Sequence, residues 1–215
     1  MSDPTKDPDV HLALRRMHRH LGRSSVQAEP ICSDRLQLLI NATDDTIIGL
    51  RDKALLMTAY DTMCRRSELV ALMLNDIQVT ENKGMTHVSI LLKKSKTDTE
   101  RHGKYLHIKN KTWEALRTWL KKANIENGYL FRGISTSREI CEDLKVAQIN
   151  RIYKRLAKKA NLDEMTVQKI SGHSLRVGAA QDLALQGLSL PIIMTKGRWS
   201  KTDTVMRYIE KIACL

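Results

Sequence analysis

The stretch Ser171–Tyr208, SGHSLRVGAAQDLALQGLSLPIIMTKGRWSKTDTVMRY, sets an imidazole, a guanidinium, an indole and a phenol along what is otherwise ordinary amphipathic helix. These are His173, Arg176, Trp199 and Tyr208. His173 and Arg176 stand three positions apart, so a helix puts them on one face, and Gly172, Ala179 and Ala180 keep that neighbourhood small enough for an anion to approach. Further polar groups lie upstream, in Arg65-Arg66-Ser67-Glu68 and at Lys96 within KKSKTDTERH. Each of these residues alone has an ordinary explanation as surface charge, satisfied histidine or packed aromatic. Their order along one chain asks for another.

The rest of the chain bounds the answer. Its 215 residues suffice for one core and a short appendage, without a second full domain. Lys and Arg number 36 against 24 Asp and Glu, a formal charge of +12 that fits a polyanionic partner, nucleic acid before membrane. Composition alone leaves a merely soluble basic protein equally open. No apolar run is long enough to span a membrane, and the start MSDPTKDPDV has neither signal nor transit character, so an intracellular protein is expected. Cys32, Cys64, Cys141 and Cys214 are scattered, with no CxxC and no His at zinc spacing. They read as reduced thiols, mostly buried, with no metal site.

The elements that must position the polar set read as follows. Residues 1–8 look disordered, Val10–Leu21 is a short basic helix, and Gly22–Pro30 is a polar linker. That helix is either a strap laid along DNA or a frayed terminus. Ser33 is a plausible cap for a helix to Ala42, and Asp44 or Asp45 for one over Ile47–Met63. A third helix begins near Arg66 and runs through Leu69, Leu72 and Met73. Thr86–Lys93 alternates as a strand, Lys104–Ile108 answers it, and 93–102 is the charged hairpin tip. Helix returns over Thr112–Lys122, with Trp113, Leu116 and Leu120 on one side, and Gly128–Phe131 reads as a short strand. From Lys145 to Ala160 the apolar stripe is Ile149, Ile152, Tyr153, Leu156 and Ala160. The opposite stripe, Lys145, Gln148, Arg151, Arg155 and Lys159, belongs to a segment with no acid between Asp143 and Asp163, which suits a DNA-facing helix. Three helices close the chain: one from Ser174 ended by Gly187, one capped by Ser189 with Pro191 and ended by Gly197, and one capped by Thr202 or Asp203 and carrying Tyr208. The fold class is mainly α with a small antiparallel β-sheet, an α+β domain.

Arg65-Arg66-Ser67-Glu68-Leu69, Lys96 on a hairpin, His173-x-x-Arg176, Gly197-Arg198-Trp199 and Tyr208, in that order, resemble the signature of the tyrosine recombinase (phage integrase) family. The resemblance extends, more loosely, from about Leu12 through Ile212, with Trp199 in a slot where most relatives carry a second His. It implies a family catalytic-domain fold over 31–215. Residues 1–30 would then be a disordered start, the remnant basic helix of an N-terminal core-binding domain, and a linker. The implied function is a site-specific DNA recombinase or integrase that cleaves and rejoins strands through a 3′-phosphotyrosyl intermediate, with no cofactor, metal or ATP.

On that resemblance each chemical need has a candidate. Tyr208 is the nucleophile, and Arg65 and Arg176 fork onto the non-bridging phosphate oxygens. His173 either takes the phenolic proton or donates to phosphate, while Trp199 offers only an indole N–H. Lys96 is the general acid for the leaving 5′-oxygen, with Lys93 and Lys94 as rivals. Glu68 orients Arg65 or Lys96. Arg66, and Arg198 where similar sequences have Gly, either add DNA contacts or do nothing. By analogy the 145–159 helix enters the major groove, with Lys145 and Gln148 set to read bases and Arg151 or Arg155 to contact phosphate.

The expected partners are a double-stranded recombination site and further protomers in a tetrameric synapse, with no membrane. The expected setting is the cytoplasm of a prokaryote, with a phage or mobile-element origin. The residues after Tyr208, ending IEKIACL, are short for the helix with which this family joins its protomers, and a monomer in free solution is expected. Two rivals remain: a type IB topoisomerase with similar chemistry, and a DNA-binding fragment inactive without an N-terminal domain.

Overall fold

In the computed structural model, which describes residues 3, 7–21, 27–93, 103–210 and 212, the chain forms ten helices and three strands among those residues. The N-terminal elements are α1 (Pro8–Leu21), α2 (Ser33–Asn41), α3 (Ile47–Thr62), α4 (Arg66–Leu69) and a 3-10 turn (Leu74–Asp76). The strands β1 (Ile77–Asn82), β2 (Met85–Leu92) and β3 (Lys104–Ile108) follow. Then come α5 (Asn110–Lys122), α6 (Val146–Lys159), α7 (Glu164–Lys169), α8 (Ser174–Leu185), α9 (Leu190–Gly197) and α10 (Thr202–Ile209). The mainly helical domain with a small antiparallel sheet is therefore as the sequence implies.

The core forms around α3. Its sequence, IIGLRDKALLMTAYDT, is buried on nearly every side, Arg51, Asp52 and Asp61 included, and it packs against α2, α5, α8 and β3. Leu55 and Leu56 are fully buried there, each contributing about 2 kcal/mol of burial. The sheet order is β1-β2-β3, with Ile77 opposite Ile90 and Ile90 opposite Leu106. Val88, Ile90, Leu92, Leu106 and Ile108 turn their side chains inward. A second, smaller core joins α8, α9 and α10 to the end of α3 through Met63, Ala179, Ala180, Ile193 and Val205. Small residues on α8 allow this close packing. At Gly178 any Cβ would sit 2.0 Å from the Ile31 carbonyl oxygen, so glycine is what lets residues 31–33 cross α8. There the Ile31 N–H donates to the Ser174 carbonyl (3.0 Å) and the Ser33 N–H to Asp182 (2.7 Å).

Several local expectations are corrected. The helix from Arg66 stops at Leu69, because residues 72–74 pair with 128–130 through Leu74 N–H to Gly128 O and Leu130 N–H to Leu72 O. Gly128–Phe131 supplies only a single bridge, Tyr129 to Met73. The strand β1 escapes the periodicity reading because IQVTEN is almost wholly exposed at the sheet edge. The helix α7 escapes it through brevity, although Asp163 caps it by accepting from the Thr166 N–H (2.9 Å). Caps shift by a residue or two: Cys32, Thr46 and Lys201 hold the positions expected for Ser33, Asp44 or Asp45, and Thr202 or Asp203. In α5 the fully buried aromatic is Trp119, which donates to the Leu130 carbonyl (2.8 Å), while Trp113 is partly exposed. Ala157 replaces Ala160 in the buried stripe of α6. Among the described cysteines only Cys64 is buried, and Cys141 is exposed. No described helix is long and apolar enough to cross a membrane.

Candidate active site

The site starts at the end of α3. Met63 takes a left-handed conformation (φ 51°), which stops the helix and turns the chain into Cys64 and Arg65. Arg65 then occupies the N-cap of α4, and Glu68, at the third position of that helix, reaches back to it. The Glu68 carboxylate accepts from the Arg65 backbone N–H (3.0 Å) and from the Arg65 guanidinium (2.6 Å). Its second oxygen, Oε2, also accepts from Arg198 (2.9 Å). Burial alone would push the Glu68 carboxyl up, but the Arg65 N–H and the charges of Arg198 and Arg65 outweigh it and hold the carboxyl below its ordinary value.

The helix α8 supplies the next two groups. His173 is its N-cap residue and Arg176 lies within its first turn. The Arg176 side chain is buried, donating to the Met63 carbonyl (2.5 Å) and to the Gly197 carbonyl. Its guanidinium lies over the Trp199 ring at 4.2 Å from the centroid, a cation–π contact. Burial pushes Arg176 down to about 10, helped by the charges of Arg65 and Arg198. The His173 imidazole is pushed below its ordinary value by burial and by the guanidiniums of Arg176, Arg66 and Arg65. At neutral pH it is therefore uncharged, able to accept a proton.

The turn between α9 and α10 brings the aromatic pair. Gly197 is required because Trp199 folds back across it, and a Cβ there would lie 1.8 Å from the indole ring. The Trp199 and Tyr208 rings stand 5.7 Å apart, tilted by 57°. Val205, the buried residue of α10, fixes that helix in the smaller core. The side-chain amide of Gln181 donates to the Tyr208 carbonyl (2.8 Å), satisfying an acceptor at the helix end. A cleft of about 210 Å³ is lined by Arg65, His173, Arg176, Arg198, Trp199 and Tyr208, with Lys201 and Thr204 beside them. A larger, mostly apolar cavity of about 810 Å³ lies between β3 and α9, away from this set except at Arg198, which lines both.

Five of the sequence-selected residues, Arg65, His173, Arg176, Trp199 and Tyr208, thus meet in one cleft, and Glu68 holds the first of them. Lys96 and its rival Lys94 lie outside the described residues, while Lys93 pairs with Asp76 (2.5 Å). The sequence reading missed Gln181. It also left Arg198 as a DNA contact or a bystander, whereas the side chain is buried against protein groups. The signal available for Gln181 was its place on α8, downstream of Arg176 and within reach of the last helix.

On α6 the selected residues are placed unevenly. Lys145 is the N-cap residue and pairs with Asp143 (3.0 Å). Arg151 is exposed. Arg155 is ion-paired with Asp52, which also holds Arg51 (2.7 Å), so its guanidinium is tethered to the domain. Burial pushes the Asp52 carboxyl up against the pull of Arg51 and Arg155. Gln148, Arg151, Arg155 and Arg51 line a cleft of about 190 Å³, where Gln148 Oε1 has no hydrogen-bond partner among the described residues.

This fold and this set of side chains define a class. The model of the phage integrase family matches residues 30–213, and the chain belongs to that family. It is 32% identical over 217 residues to an integrase/recombinase xerD homolog of Selenomonas ruminantium, across 97% of this chain and 62% of the relative. It is 27% identical over 227 residues to recombinase Cre of Escherichia phage P1, across 97% of this chain and 65% of the relative. The stretch 171–208, with Trp199, resembles Cre in particular. The chain spans less than two thirds of the length of either curated relative. Among solved structures, XerA recombinase superposes with a TM-score of 0.64 at 19% identity, over 97% of this chain and 71% of that one. XerH bound to a palindromic difH substrate in a post-cleavage complex gives 0.66 at 18%, over 85% and 50%. A lambda integrase dimer bound to a COC′ core site gives 0.58 at 15%, over 92% and 56%. These likenesses establish the fold.

Proposed function

We propose that the chain is the catalytic part of a site-specific DNA recombinase or integrase working through a 3′-phosphotyrosyl intermediate. The observation that carries this reading is the convergence of the Tyr208 phenol with Arg65, His173, Arg176 and Trp199 on one cleft. Phosphoryl transfer to a tyrosine needs an in-line phenol, cations on the non-bridging oxygens and an acid for the leaving group. The cleft supplies the first two. Arg176 spends one N–H of each terminal nitrogen on Met63 and Gly197, and a guanidinium has five, so three remain for phosphate. The Trp199 indole N–H donates to the same phosphate.

In the proposed step the Tyr208 oxygen bonds to phosphorus as the P–O5′ bond breaks. The phenolic proton passes to neutral His173, and Lys96 protonates the departing 5′-oxygen. The phosphodiester bond energy is kept in the Tyr208 ester, so rejoining is the reverse step and needs no ATP. Guanidinium charge meets the transition state without a metal. The face of α6 that carries Lys145, Gln148 and Arg151 lies along the duplex, and further protomers complete a tetrameric synapse. The setting is the cytoplasm of a bacterial host of a phage or mobile element. Relatives of this fold solved on DNA, such as XerH on difH and the Tn1549 transposon integrase on transposon right-end DNA, support DNA as the partner.

The test uses the protein in the full length of its natural chain and a pool of nicked duplexes of randomised sequence, whose short 5′-hydroxyl fragment is lost on cleavage. Protein–DNA adducts resistant to detergent are captured and sequenced. The reading expects an adduct that enriches one sequence and disappears in Tyr208→Phe. Retention of the adduct in that variant, or its absence from the parent, overturns it; DNA binding without an adduct leaves a DNA-binding module. Relaxation of supercoiled plasmid without strand exchange assigns a topoisomerase.

A further inference from the structure

Arg198 contradicts what its backbone asks for. Its φ is 58°, in the left-handed region that favours glycine. A long cationic side chain nevertheless occupies the position, and that side chain is only 3% exposed. Burying a charge is costly unless it is paired, so its partners identify its role. They are the Thr62 carbonyl (2.9 Å), the Met63 carbonyl (3.2 Å) and Glu68 Oε2 (2.9 Å), with a longer contact to the nearby Lys196 carbonyl (3.5 Å). The three shorter contacts all go to the segment 62–68, which carries Arg65. The same Met63 carbonyl accepts from Arg176, and Glu68 fixes Arg65 through both its backbone and its guanidinium.

We infer that Arg198 is a positioning residue for phosphoryl transfer: it clamps the Thr62–Met63 turn and the Glu68 carboxylate, and through them sets Arg65 for the scissile phosphate. This rests on the function proposed above. A glycine at 198 would satisfy the backbone but would give up the contacts to Glu68 and to the Thr62 and Met63 carbonyls. The clamp also explains why Glu68 sits between two guanidiniums rather than in a simple pair with Arg65. A displacement of about 1 Å at a reacting group can lower a rate by about 100-fold, and a clamp of this kind acts on that scale.

The experiment compares Arg198→Gly, which relieves the backbone, and Arg198→Lys, which keeps the charge but cannot span three acceptors. Single-turnover adduct formation on the selected nicked duplex is measured at saturating DNA, beside the dissociation constant. The expected result is a cleavage rate about 100-fold lower in Arg198→Gly and partly restored in Arg198→Lys, with affinity within about threefold of the parent. In a Glu68→Gln background the Arg198→Gly effect shrinks to about tenfold or less, since only the contacts to the Thr62 and Met63 carbonyls are then left to lose. A cleavage rate in Arg198→Gly equal to the parent's, or effects that multiply independently of Glu68, overturns the proposal.

A DNA-free arm separates this outcome from failure of the recombinase reading. Isotope-edited titration follows the Glu68 carboxylate, and phenylglyoxal labelling mapped by mass spectrometry follows Arg65. Loss of the clamp raises the Glu68 midpoint and changes the labelling rate of Arg65. If both stay at parent values in folded Arg198→Gly, the clamp does not exist, whatever the chain does to DNA. If both move while the parent forms no adduct, the clamp stands and the proposed reaction falls.

Discussion

Replacing Glu68 by Gln removes a buried carboxylate that pairs with both Arg65 and Arg198, and its cost can be worked from the contacts. In the parent, Glu68 is 4% exposed and accepts from Arg65 at 2.6 Å and from Arg198 at 2.9 Å. The amide keeps one acceptor oxygen but turns an N–H toward a guanidinium, so two cations lose their counter-charge at once. Removing one partner of a buried ion pair costs about 3–5 kcal/mol. The Arg65 side chain, 20% exposed, recovers part of that from water, which brings the expected loss to about 2–4 kcal/mol. The pH dependence has a definite sign. The folded Glu68 carboxyl lies below its ordinary 4.5, so its stabilisation is fully present above the unfolded value and is lost as pH falls through the folded one. Urea unfolding of parent and Glu68→Gln at neutral pH, repeated in steps down to about pH 3, should show the gap at its full size near neutrality and closing in acid. A gap under about 0.5 kcal/mol at neutral pH, or one that persists unchanged in acid, would refute the counter-charge argument.

Three further outcomes follow from named contacts. Because the His173 imidazole titrates below its ordinary 6.5, adduct formation should be at its plateau at neutral pH and fall only as pH drops through that lowered value; His173→Gln should abolish the inflection, and an inflection surviving in the variant would assign the proton elsewhere. Val205→Ala removes buried methyl groups from the single described anchor of α10, costing about 2 kcal/mol, and should slow adduct formation while leaving DNA affinity near the parent's; equal losses in rate and affinity would mean that α10 does not carry the nucleophile separately. Duplex affinity should fall steeply with salt, and Arg151→Ala should reduce the logarithmic salt slope by about one, read by fluorescence anisotropy; an unchanged slope would take this part of α6 out of the interface.

The sequence carried the amphipathic helices α5 and α6 well, because they declare themselves by period, and it marked α8 and α9 through Gly187, Pro191 and Gly197. It carried β2 and β3 through alternation of buried residues, and it missed β1, whose side chains face water and so carry no pattern. The early end of α4 was not legible either. What stops that helix is pairing with residues 128–130, a contact made across more than fifty residues and invisible to any local window. The site divides in the same way. The order of the motifs, through the family resemblance it carries, was enough to select Arg65, His173, Arg176, Trp199 and Tyr208, which the fold brings to one cleft. Gln181 and Arg198 act through backbone carbonyls, and a carbonyl acceptor leaves no mark in the sequence.

Those carbonyls also explain how so much positive charge is held in one place before any DNA arrives. A helix leaves its last carbonyls unpaired and carries a partial negative charge at that end. The helix α3 ends at Thr62, with Met63 left-handed, and the carbonyls of both residues point into the site. Arg176 takes the Met63 oxygen, and Arg198 takes both. Guanidiniums that would repel one another in open solvent are thus gathered on the negative end of the central helix, and Glu68 supplies a full countercharge that Arg65 and Arg198 share. The arrangement leaves a net positive cleft beside Tyr208, paid for by groups already fixed in the folded core. A phosphate bound as proposed would enter a field that needs little rearrangement, which is the condition under which electrostatic stabilisation of a transition state is most effective. On the proposed function the end of α3, although it contributes no reacting atom, is as much a determinant of the chemistry as Arg65, His173, Arg176, Trp199 and Tyr208.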